Sequence, residues 1–443
     1  MTRRLALAAA VAMATACAVP QAPQRQSVAT GITERTGIAV SSLPPPGPDW
    51  TAPPGISFDD GLTQEEAAAI ALWNNARFQA ALASLGIARA DLIDAGLLKN
   101  PILSLLFPWG PKQLEFTATW SVDALWQRPR RIADAKLNAE AVASDLVAGG
   151  LNVVAETRLA FLDAVTADKR SVLAAEQADI AGRASELAQS RLRAGDISEF
   201  EMSLSKTDAL RFEAARLSRA AARDLAYIRL RTLLGLAQDG PALKLTAPSG
   251  AVSSLACRGQ LSDAIKLSLA SRPEVRAAEL RIESAGARAG LERARILSFT
   301  ASLDANAKGS KGFEMGPGLA IELPFLSQNQ GKRSRAAAEL EQASRNYLAV
   351  RAAVAAEVSA AHVGMAEAEA IVRLFSADVT QTLASSRRQA DRLHEAGEIS
   401  MLDLLAARQR LLDVEVARVD AEFALNRAIV RFQQAAGNPC EQK

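Results

Sequence analysis

Apolar residues recur at helical spacing along most of this chain. Thr63 stands three residues before Glu66 in a capping-box pattern, and the Ala- and Leu-rich stretch that follows predicts a helix to about Leu98. After Pro129 no proline interrupts the pattern up to Ser190, which predicts a helix of about 60 residues and roughly 90 Å. Gly149-Gly150 within it is interpreted as a local bend. Further helices are predicted at about 197–234, 262–294, 332–395 and 399–436, and helices this long are typical of coiled coils.

Two stretches alternate strictly between apolar and polar residues, at 113–122 and 297–306, with less regular partners at 102–107 and 319–325. Such strands suit a transmembrane barrel with a wet lumen, although a soluble, half-buried hairpin fits the alternation equally well. For a barrel, the residues predicted to face lipid are Leu114, Phe116, Trp120, Leu297, Phe299 and Leu303, and those predicted to face the lumen are Glu115, Thr117, Thr119, Ser302 and Asp304. The interfacial rings would come from Phe107, Trp109, Trp120, Trp126 and Phe313.

Four strands cannot close a barrel, and lipid does not tolerate an open sheet edge. The smallest closed barrels need about eight strands, so at least two chains must share one barrel if these strands span a membrane. An open, water-filled lumen favours three chains.

The chain repeats itself. Within the segments that start at Leu62 and Leu261, positions 66, 67, 72 and 80 match 263, 264, 269 and 277 at a constant shift of 197. The five residues 194–198 recur at 396–400 with a shift of 202. This indicates two copies of one structural unit, predicted at 61–250 and 251–443.

The N-terminus resembles a bacterial export signal, because a charged start is followed by an apolar run that is too short to span a membrane. Residues 1–16 are predicted to be the signal peptide. Cys17 resembles a lipoprotein cysteine that carries a fatty acid such as palmitate, and simple cleavage after Ala16 is the alternative. Residues 17–60, which are rich in proline, are predicted to form an extended, lipid-anchored linker without a core.

Composition excludes several functions. With 51 Lys and Arg against 49 Asp and Glu, the chain lacks the basic excess of a nucleic-acid binder. No catalytic constellation, metal site or cofactor site is predicted, since His362 and His394 stand without clustered ligands. Cys257 and Cys440 form a disulfide in one interpretation and remain two thiols in the other.

Taken together, the chain resembles the bacterial outer-membrane efflux proteins, the TolC-like channels, over about residues 60–438. The resemblance rests on the opening stretch LTQEEAAAIALWNNARFQAAL, on LPFLSQNQGKRSRAAAELEQA, and on the two segments AGDISEFEMSLSKTDAL and AGEISMLDLLAARQRLL. Asn329-Gln330-Gly331 also resembles the branch that exports heavy-metal cations.

The resemblance implies a mainly α fold with transmembrane β structure: a homotrimer with a long α-helical coiled-coil barrel, in which each chain contributes four strands to a shared twelve-stranded β-barrel. It implies a cell outer-membrane location, with the tunnel in the periplasm, and partnership with outer-membrane lipid, a periplasmic adaptor (membrane fusion) protein and an inner-membrane pump.

The resemblance also implies site residues. The adaptor would dock on two turns, with Ile197 and Ile399 exposed as apolar contacts. The turns comprise Ala194, Gly195, Asp196, Ile197 and Ser198, and Ala396, Gly397, Glu398, Ile399 and Ser400. Asp403, with its counterpart Glu201, would line a pore constriction.

The function predicted is therefore a passive exit duct of a tripartite efflux system for heavy-metal cations or drugs, without enzymatic activity. A type I protein secretion duct is one alternative, and a periplasmic coiled-coil adaptor is another, although an adaptor would lack the four amphipathic strands.

Overall fold

The computed structural model describes residues 22–38, 50–107, 109, 114–236, 241–246, 260–307, 312–375 and 377–437. The first half contains α1 (Arg25–Thr36), α2 (Gln64–Asn74), α3 (Ala76–Gly96), β1 (Ile102–Leu106), β2 (Glu115–Ser121), α4 (Asp123–Ala194) and α5 (Glu199–Leu233). The second contains α6 (Leu261–Ser271), α7 (Pro273–Ala294), β3 (Phe299–Ala307), β4 (Phe313–Ile321), α8 (Gln330–Leu374), α9 (Ala377–Glu395) and α10 (Met401–Ala436).

The order of elements repeats, as the sequence predicts. Two helices, two strands, a long helical stretch and a final helix follow one another from α2 to α5 and again from α6 to α10. The longest helix, α4, has 72 residues and begins at Asp123, six residues before the predicted start, with Pro129 inside its second turn. The boundaries of the two repeats, at 61–250 and 251–443, remain a prediction.

Three predicted helices are broken in two, each for a local reason. Asn75 is extended between α2 and α3, and its side-chain oxygen accepts a hydrogen bond from Phe78 N at 3.1 Å, which caps α3. Arg272 is extended before Pro273, because a residue that precedes proline avoids helical geometry. At the end of α8, Phe375 N donates to Val372 O at 2.9 Å, and this tighter turn ends the helix.

The fourth strand also differs from its prediction. β4 spans Phe313–Ile321, whereas the predicted stretch began at Leu319. Gly316, Pro317 and Gly318 lie inside the strand and hide its alternation, since glycine and proline are weak strand signals.

The predicted linker is not extended throughout. Residues 25–36 form α1, and Ala29 and Ile32 on it are fully buried. The prediction was wrong here because α1 is mostly polar and carries only a few buried residues within a proline-rich stretch.

The chain divides into two compact units, each built from both repeats. The sheet unit comprises Met1–Val28, Ala80–Ala148 and Arg272–Ala353, and the turn unit comprises Ala29–Gln79, Gly149–Ser271 and Val354–Lys443. In the sheet unit, Asp134 of α4 accepts hydrogen bonds from Ser284 Oγ at 2.6 Å and Arg288 Nε at 3.2 Å. Arg288 Nη1 also lies 3.5 Å from Glu339 Oε2, so α7 is bonded to both α4 and α8.

The turn unit has its main apolar core where α2, α4 and α5 meet. Ile70, Phe161, Leu230 and Leu234 are fully buried in this cluster. The N–H of Leu62 donates to Lys244 O at 2.8 Å, which ties the start of α2 to the chain beyond α5.

Gly150 provides room for α1 rather than the predicted bend. A methyl group added at Gly150 would lie 2.9 Å from Ile32 Cγ1 and 3.3 Å from Phe78 Cζ, closer than carbon atoms normally approach. A methyl group at the neighbouring Gly149 would meet nothing within 4 Å. The two adjacent glycines therefore have different functions.

We expect Gly150→Ala to destabilise the turn unit and Gly149→Ala to stabilise it slightly. Overpacking against Ile32 costs about 1–3 kcal/mol, whereas alanine in an open helical position gains about 0.5–1 kcal/mol over glycine. Thermal unfolding of the purified protein measures both. Equal effects of the two changes would show that α1 does not pack closely on α4, and Ile32→Val should partly rescue Gly150→Ala.

Candidate functional site

The four strands form one antiparallel sheet in the order β1-β2-β3-β4. Phe116 of β2 lies opposite Leu105 of β1 and Ala305 of β3, and Ala301 of β3 lies opposite Leu319 of β4. Because side chains alternate between faces, this register gathers most of the apolar positions of the four strands on one face. The apolar face consists of Leu103, Leu105, Phe116, Ala118, Trp120, Phe299, Ala301, Leu303, Ala305, Met315, Pro317, Leu319 and Ile321.

On this face, the large apolar side chains of the outer strands β1 and β4 are exposed, whereas those of β2 are partly buried and Ala305 of β3 is fully buried. Leu103 is 61%, Met315 67% and Leu319 62% accessible. A soluble, half-buried hairpin would cover its apolar side, so this exposure favours the transmembrane interpretation over the soluble one.

The opposite face is mostly polar, with Ile102, Leu106 and Ala320 as its larger apolar members. A side chain at Gly318 would overlap Ser302 Oγ across the strand pair. The five residues predicted to face the lumen all lie here: Glu115, Thr117, Thr119, Ser302 and Asp304.

The dimensions of the sheet suit a bilayer. β3 has nine residues, about 30 Å of strand, and a tilt of about 40° reduces its height to roughly the 25 Å of an outer-membrane barrel's apolar band. At the helix end of the sheet, Trp120 Nε1 donates to Lys99 O at 2.9 Å, and the Trp126 ring lies 5.3 Å from the Phe299 ring. At the loop end, Trp109 is fully exposed. The side chain of Phe313 lies outside the described residues.

Both edges of the sheet are open among the described residues. β1 pairs only with β2, and β4 pairs only with β3. Hydrocarbon offers no hydrogen bonds to an unpaired strand edge, so further strands must complete the sheet in a membrane.

The two repeated turns have the same backbone structure. Gly195 has φ +81° and Gly397 has φ +76°, in the left-handed region that favours glycine. Asp196 N donates to Arg191 O and Glu398 N donates to Leu393 O, both at 2.9 Å, which are the long bonds of two Schellman motifs. Ile197 and Ile399 are partly buried rather than exposed. The exposed large apolar side chains beside the turns are Phe200 and Met401.

The two carboxylates predicted to line the constriction also cap helices. Glu201 Oε2 accepts from Ser198 N at 2.8 Å, and Asp403 Oδ2 accepts from Ser400 N at 3.1 Å; each serine oxygen in turn accepts from the carboxylate residue's own N–H at 3.2 Å. Two reciprocal capping boxes therefore begin α5 and α10. The role of Glu201 and Asp403 in the pore remains a prediction.

These hydrogen bonds lower the pKa of both carboxyl groups. For Glu201 the backbone N–H of Ser198 is the larger cause and the hydroxyl the smaller, whereas for Asp403 the hydroxyl of Ser400 comes first. A carboxyl group whose folded pKa is lowered stabilises its helix start above the unfolded pKa, and this contribution is lost as pH falls through the lowered value.

A series of polar side-chain contacts, here called the polar ladder, connects α4 and α10 and was not predicted from the sequence. Arg170 Nε lies 2.6 Å from Asp420 Oδ1, Gln177 Nε2 donates to Asp413 Oδ1 at 2.8 Å, and Arg427 Nη1 lies 3.6 Å from Asp163 Oδ1. The positions 163, 170 and 177 meet 427, 420 and 413, which is an antiparallel pairing at heptad spacing. The sequence feature that could have predicted this pairing is the seven-residue spacing of polar residues on both helices.

Some predicted sites lie outside the described residues, namely Cys17, Cys257 and Cys440. No group of three potential metal ligands occurs in the part of the chain that the structure describes. Within the same part, α8 is the one helix long and apolar enough to cross a membrane by length and composition, which for a single helix is weak evidence.

Comparisons with known proteins agree with this geometry. Residues 264–438 match the family model described as "Outer membrane efflux protein". The cobalt-zinc-cadmium resistance protein CzcC of Cupriavidus metallidurans is 24% identical over 360 residues, which cover 80% of this chain and 85% of that protein.

Two solved outer-membrane channels share the fold. OprN has a TM-score of 0.67 at 19% identity and covers 89% of this chain and 99% of its own. CusC has a TM-score of 0.66 at 16% identity, and the match covers 90% of this chain and 98% of CusC. The predicted fold class, mainly α with transmembrane β in the TolC-like arrangement, is confirmed.

We expect arginine to be tolerated on one face of the sheet only. On the lipid side of a barrel, arginine in mid-strand costs about 2–4 kcal/mol, whereas a lumen position costs little. Leu303→Arg should therefore impair assembly and Ser302→Arg in the same strand should not, as measured by heat-modifiable migration of outer-membrane fractions. Thr117→Arg, on the same face in β2, serves as a second lumen variant. Equal tolerance on both faces would contradict the barrel assignment.

Proposed function

We propose that this chain, whose residues 264–438 match the outer membrane efflux protein family, is the exit duct of a tripartite efflux system. The observation that carries this function is the four-stranded sheet, which has large apolar side chains exposed on one face, a mostly polar opposite face and two open edges among the described residues. The duct performs no chemistry. It conducts substrate that an inner-membrane pump and a periplasmic adaptor deliver.

The open edges support a homotrimer. If β4 of one chain pairs with β1 of the next, three copies close a twelve-stranded barrel with no free edge, and the polar faces line its lumen. A periplasmic adaptor, the alternative function, does not span the membrane, so it would not require a sheet with exposed apolar side chains. A type I protein secretion duct has the same geometry and differs only in its cargo.

For the cargo we propose divalent heavy-metal cations, with drugs as the second candidate. The support is the similarity to CzcC, whose name assigns it to cobalt, zinc and cadmium resistance. A strain that lacks this gene should then become sensitive to these cations. Unchanged metal tolerance with new drug sensitivity would assign the duct to drugs.

We also propose that Cys17 carries a lipid and that residues 17–60 connect it to the folded units, with α1 as an ordered part of this connection. Fatty-acid labelling that survives in Cys17→Ser would contradict the anchor. The pairing of Cys257 with Cys440 remains a proposal, which mass spectrometry of the unreduced protein checks.

The two turns are proposed as the adaptor-docking tips. Their support is that the same backbone motif is built twice, with Phe200 and Met401 exposed beside it. An exposed apolar side chain next to a rigid turn is suited to a protein partner.

We expect substitution of the tip glycines to abolish efflux while the trimer still forms. Valine at Gly195 and Gly397 costs about 1–2 kcal/mol in left-handed geometry and distorts the turn, whereas asparagine fits that geometry. The matched control is Gly182→Val on α4, where a side chain meets nothing within 4 Å. Resistance assays and trimer migration in gels measure both effects. Normal efflux by the valine variants would remove these turns from the docking surface.

Asp403 is further proposed to line the narrowest part of the pore, with Glu201 near it. The support is that Asp403 follows the second turn and uses one oxygen, Oδ2, for both of its serine bonds. Three-fold symmetry would bring three such carboxylates together, where they repel one another or bind a cation.

We expect Asp403→Asn to weaken cation block of the pore in planar bilayers. Asparagine removes the charge but keeps an oxygen that accepts from Ser400 N, so α10 still starts correctly. Asp403→Ala loses the cap as well and should also reduce thermal stability. If only the alanine variant changes the conductance, the carboxylate is a helix cap and not part of the constriction.

A further inference from the structure

The chain crosses one end of the sheet four times. α3 ends at Gly96 before β1, β2 leads into α4, α7 ends at Ala294 before β3, and β4 leads into α8 through residues 322–329. Everything at this helix end of the sheet belongs to the sheet unit.

Large apolar side chains are exposed at this end. Leu326 is 93%, Phe325 80% and Leu323 62% accessible, and Leu97 and Trp126 are also exposed. The Trp126 ring packs edge-on against Phe299, which lies on the apolar face of the sheet. The lipid-facing surface therefore continues beyond the strands.

The same end carries an excess of positive charge. Residues 96–100, 121–131, 292–299 and 321–335 contain nine of the 51 Lys and Arg but only three of the 49 Asp and Glu. All three carboxylates have partners: Glu292 pairs with Arg295, Glu322 Oε2 accepts from Ser298 Oγ at 2.8 Å, and Asp123 Oδ2 accepts from Gln127 Nε2 at 3.0 Å. Net positive charge thus concentrates here in a chain that is otherwise nearly balanced.

Part of this charge is held rigidly. Arg128 Nε donates to Gly96 O at 2.7 Å and Arg131 Nη2 donates to Leu97 O at 3.1 Å, so both cap the carboxyl end of α3. Burial lowers the pKa of Arg131, and the nearby charges of Arg295 and Arg128 lower it further. Arg131 Nε is shielded from solvent and has no hydrogen-bond partner among the described residues. Crowded cations of this kind favour an anion beside them.

We infer that this end of the sheet is a collar that binds the headgroups of anionic phospholipids in the leaflet on the helix side of the membrane. We define the collar by the apolar residues Leu97, Trp126, Leu323, Phe325 and Leu326 and the exposed cations Arg130, Lys332 and Arg333. The inference rests on the proposed function, which places the sheet in a membrane.

A phospholipid fits both halves of the collar. Its phosphate meets the cations, and its acyl chains meet the exposed apolar side chains that continue from the sheet. A free phosphate ion would use the cations but leave Phe325 and Leu326 in water. A protein partner would not require the collar to be continuous with the lipid-facing surface.

The test uses the full-length trimer in neutral detergent, titrated with phosphatidylglycerol or phosphatidylcholine while its thermal unfolding is followed. Phosphatidylglycerol should raise the unfolding temperature by several degrees and phosphatidylcholine should not, with the difference lost in about 0.5 M salt because the attraction is screened. The variant Arg130→Gln/Lys332→Gln/Arg333→Gln should lose most of this shift. The matched control, Lys206→Gln/Arg219→Gln/Arg388→Gln, changes three exposed cations of the turn unit and should retain it.

A second measurement, which leaves the collar cations unchanged, applies if the triple variant fails to form trimers. The fluorescence of Trp126 is obtained as the difference between the parent protein and the variant Trp126→Phe, both in liposomes. Brominated phosphatidylglycerol should quench this fluorescence more strongly than brominated phosphatidylcholine. Equal quenching, equal thermal shifts with both lipids, or the same shift with glycerol phosphate alone would overturn the inference. Failure of the parent protein to insert and conduct would instead contradict the proposed function.

Discussion

Every backbone N–H and C=O inside hydrocarbon needs a hydrogen-bond partner, and the structure of this chain depends on that requirement. One chain supplies four strands, whose inner pairs are complete and whose outer edges at β1 and β4 are open. The register also keeps a single apolar face across all four strands. A shift of one residue in any pair would place polar side chains in lipid, so pairing and side-chain pattern specify the same arrangement.

Much of this could be predicted from the sequence, because β2 and β3 have a strict period of two and the long helices lack breaking residues. β4 could not be placed correctly, because Gly316, Pro317 and Gly318 carry no alternation and its register is determined by β3 alone. The break at Asn75 depends on a side-chain cap and on its bond to Leu233 O, a contact between distant segments. The position of α1 likewise depends on the space above Gly150, which no local pattern reveals.

The candidate site, too, could be predicted from the sequence only in part. The turns were predictable because a repeated glycine in a repeated segment indicates a backbone requirement, and both glycines are left-handed. The capping role of Glu201 and Asp403 could also have been predicted, because a serine stands three residues before each carboxylate. The ladder between α4 and α10 could not be predicted, because the heptad spacing on α4 indicates no contact until α10 is known to be its partner helix.

The duplication shows what must stay constant between the two turns and what can change. The Schellman bonds and capping boxes are the same in both, because they satisfy the backbone where each hairpin reverses. The side chains around them differ: at the second turn His394 Nδ1 lies 3.2 Å from Ile399 O and Arg408 Nη2 donates to Asp391 Oδ1 at 2.8 Å. The positions equivalent to His394 and Asp391 in the first repeat are Leu192, which has no polar side-chain atom, and Gln189, which carries no charge for an ion pair. The second turn is therefore connected to its flanking helices by polar contacts that the first turn lacks, and two copies with one backbone design can respond differently to the same partner.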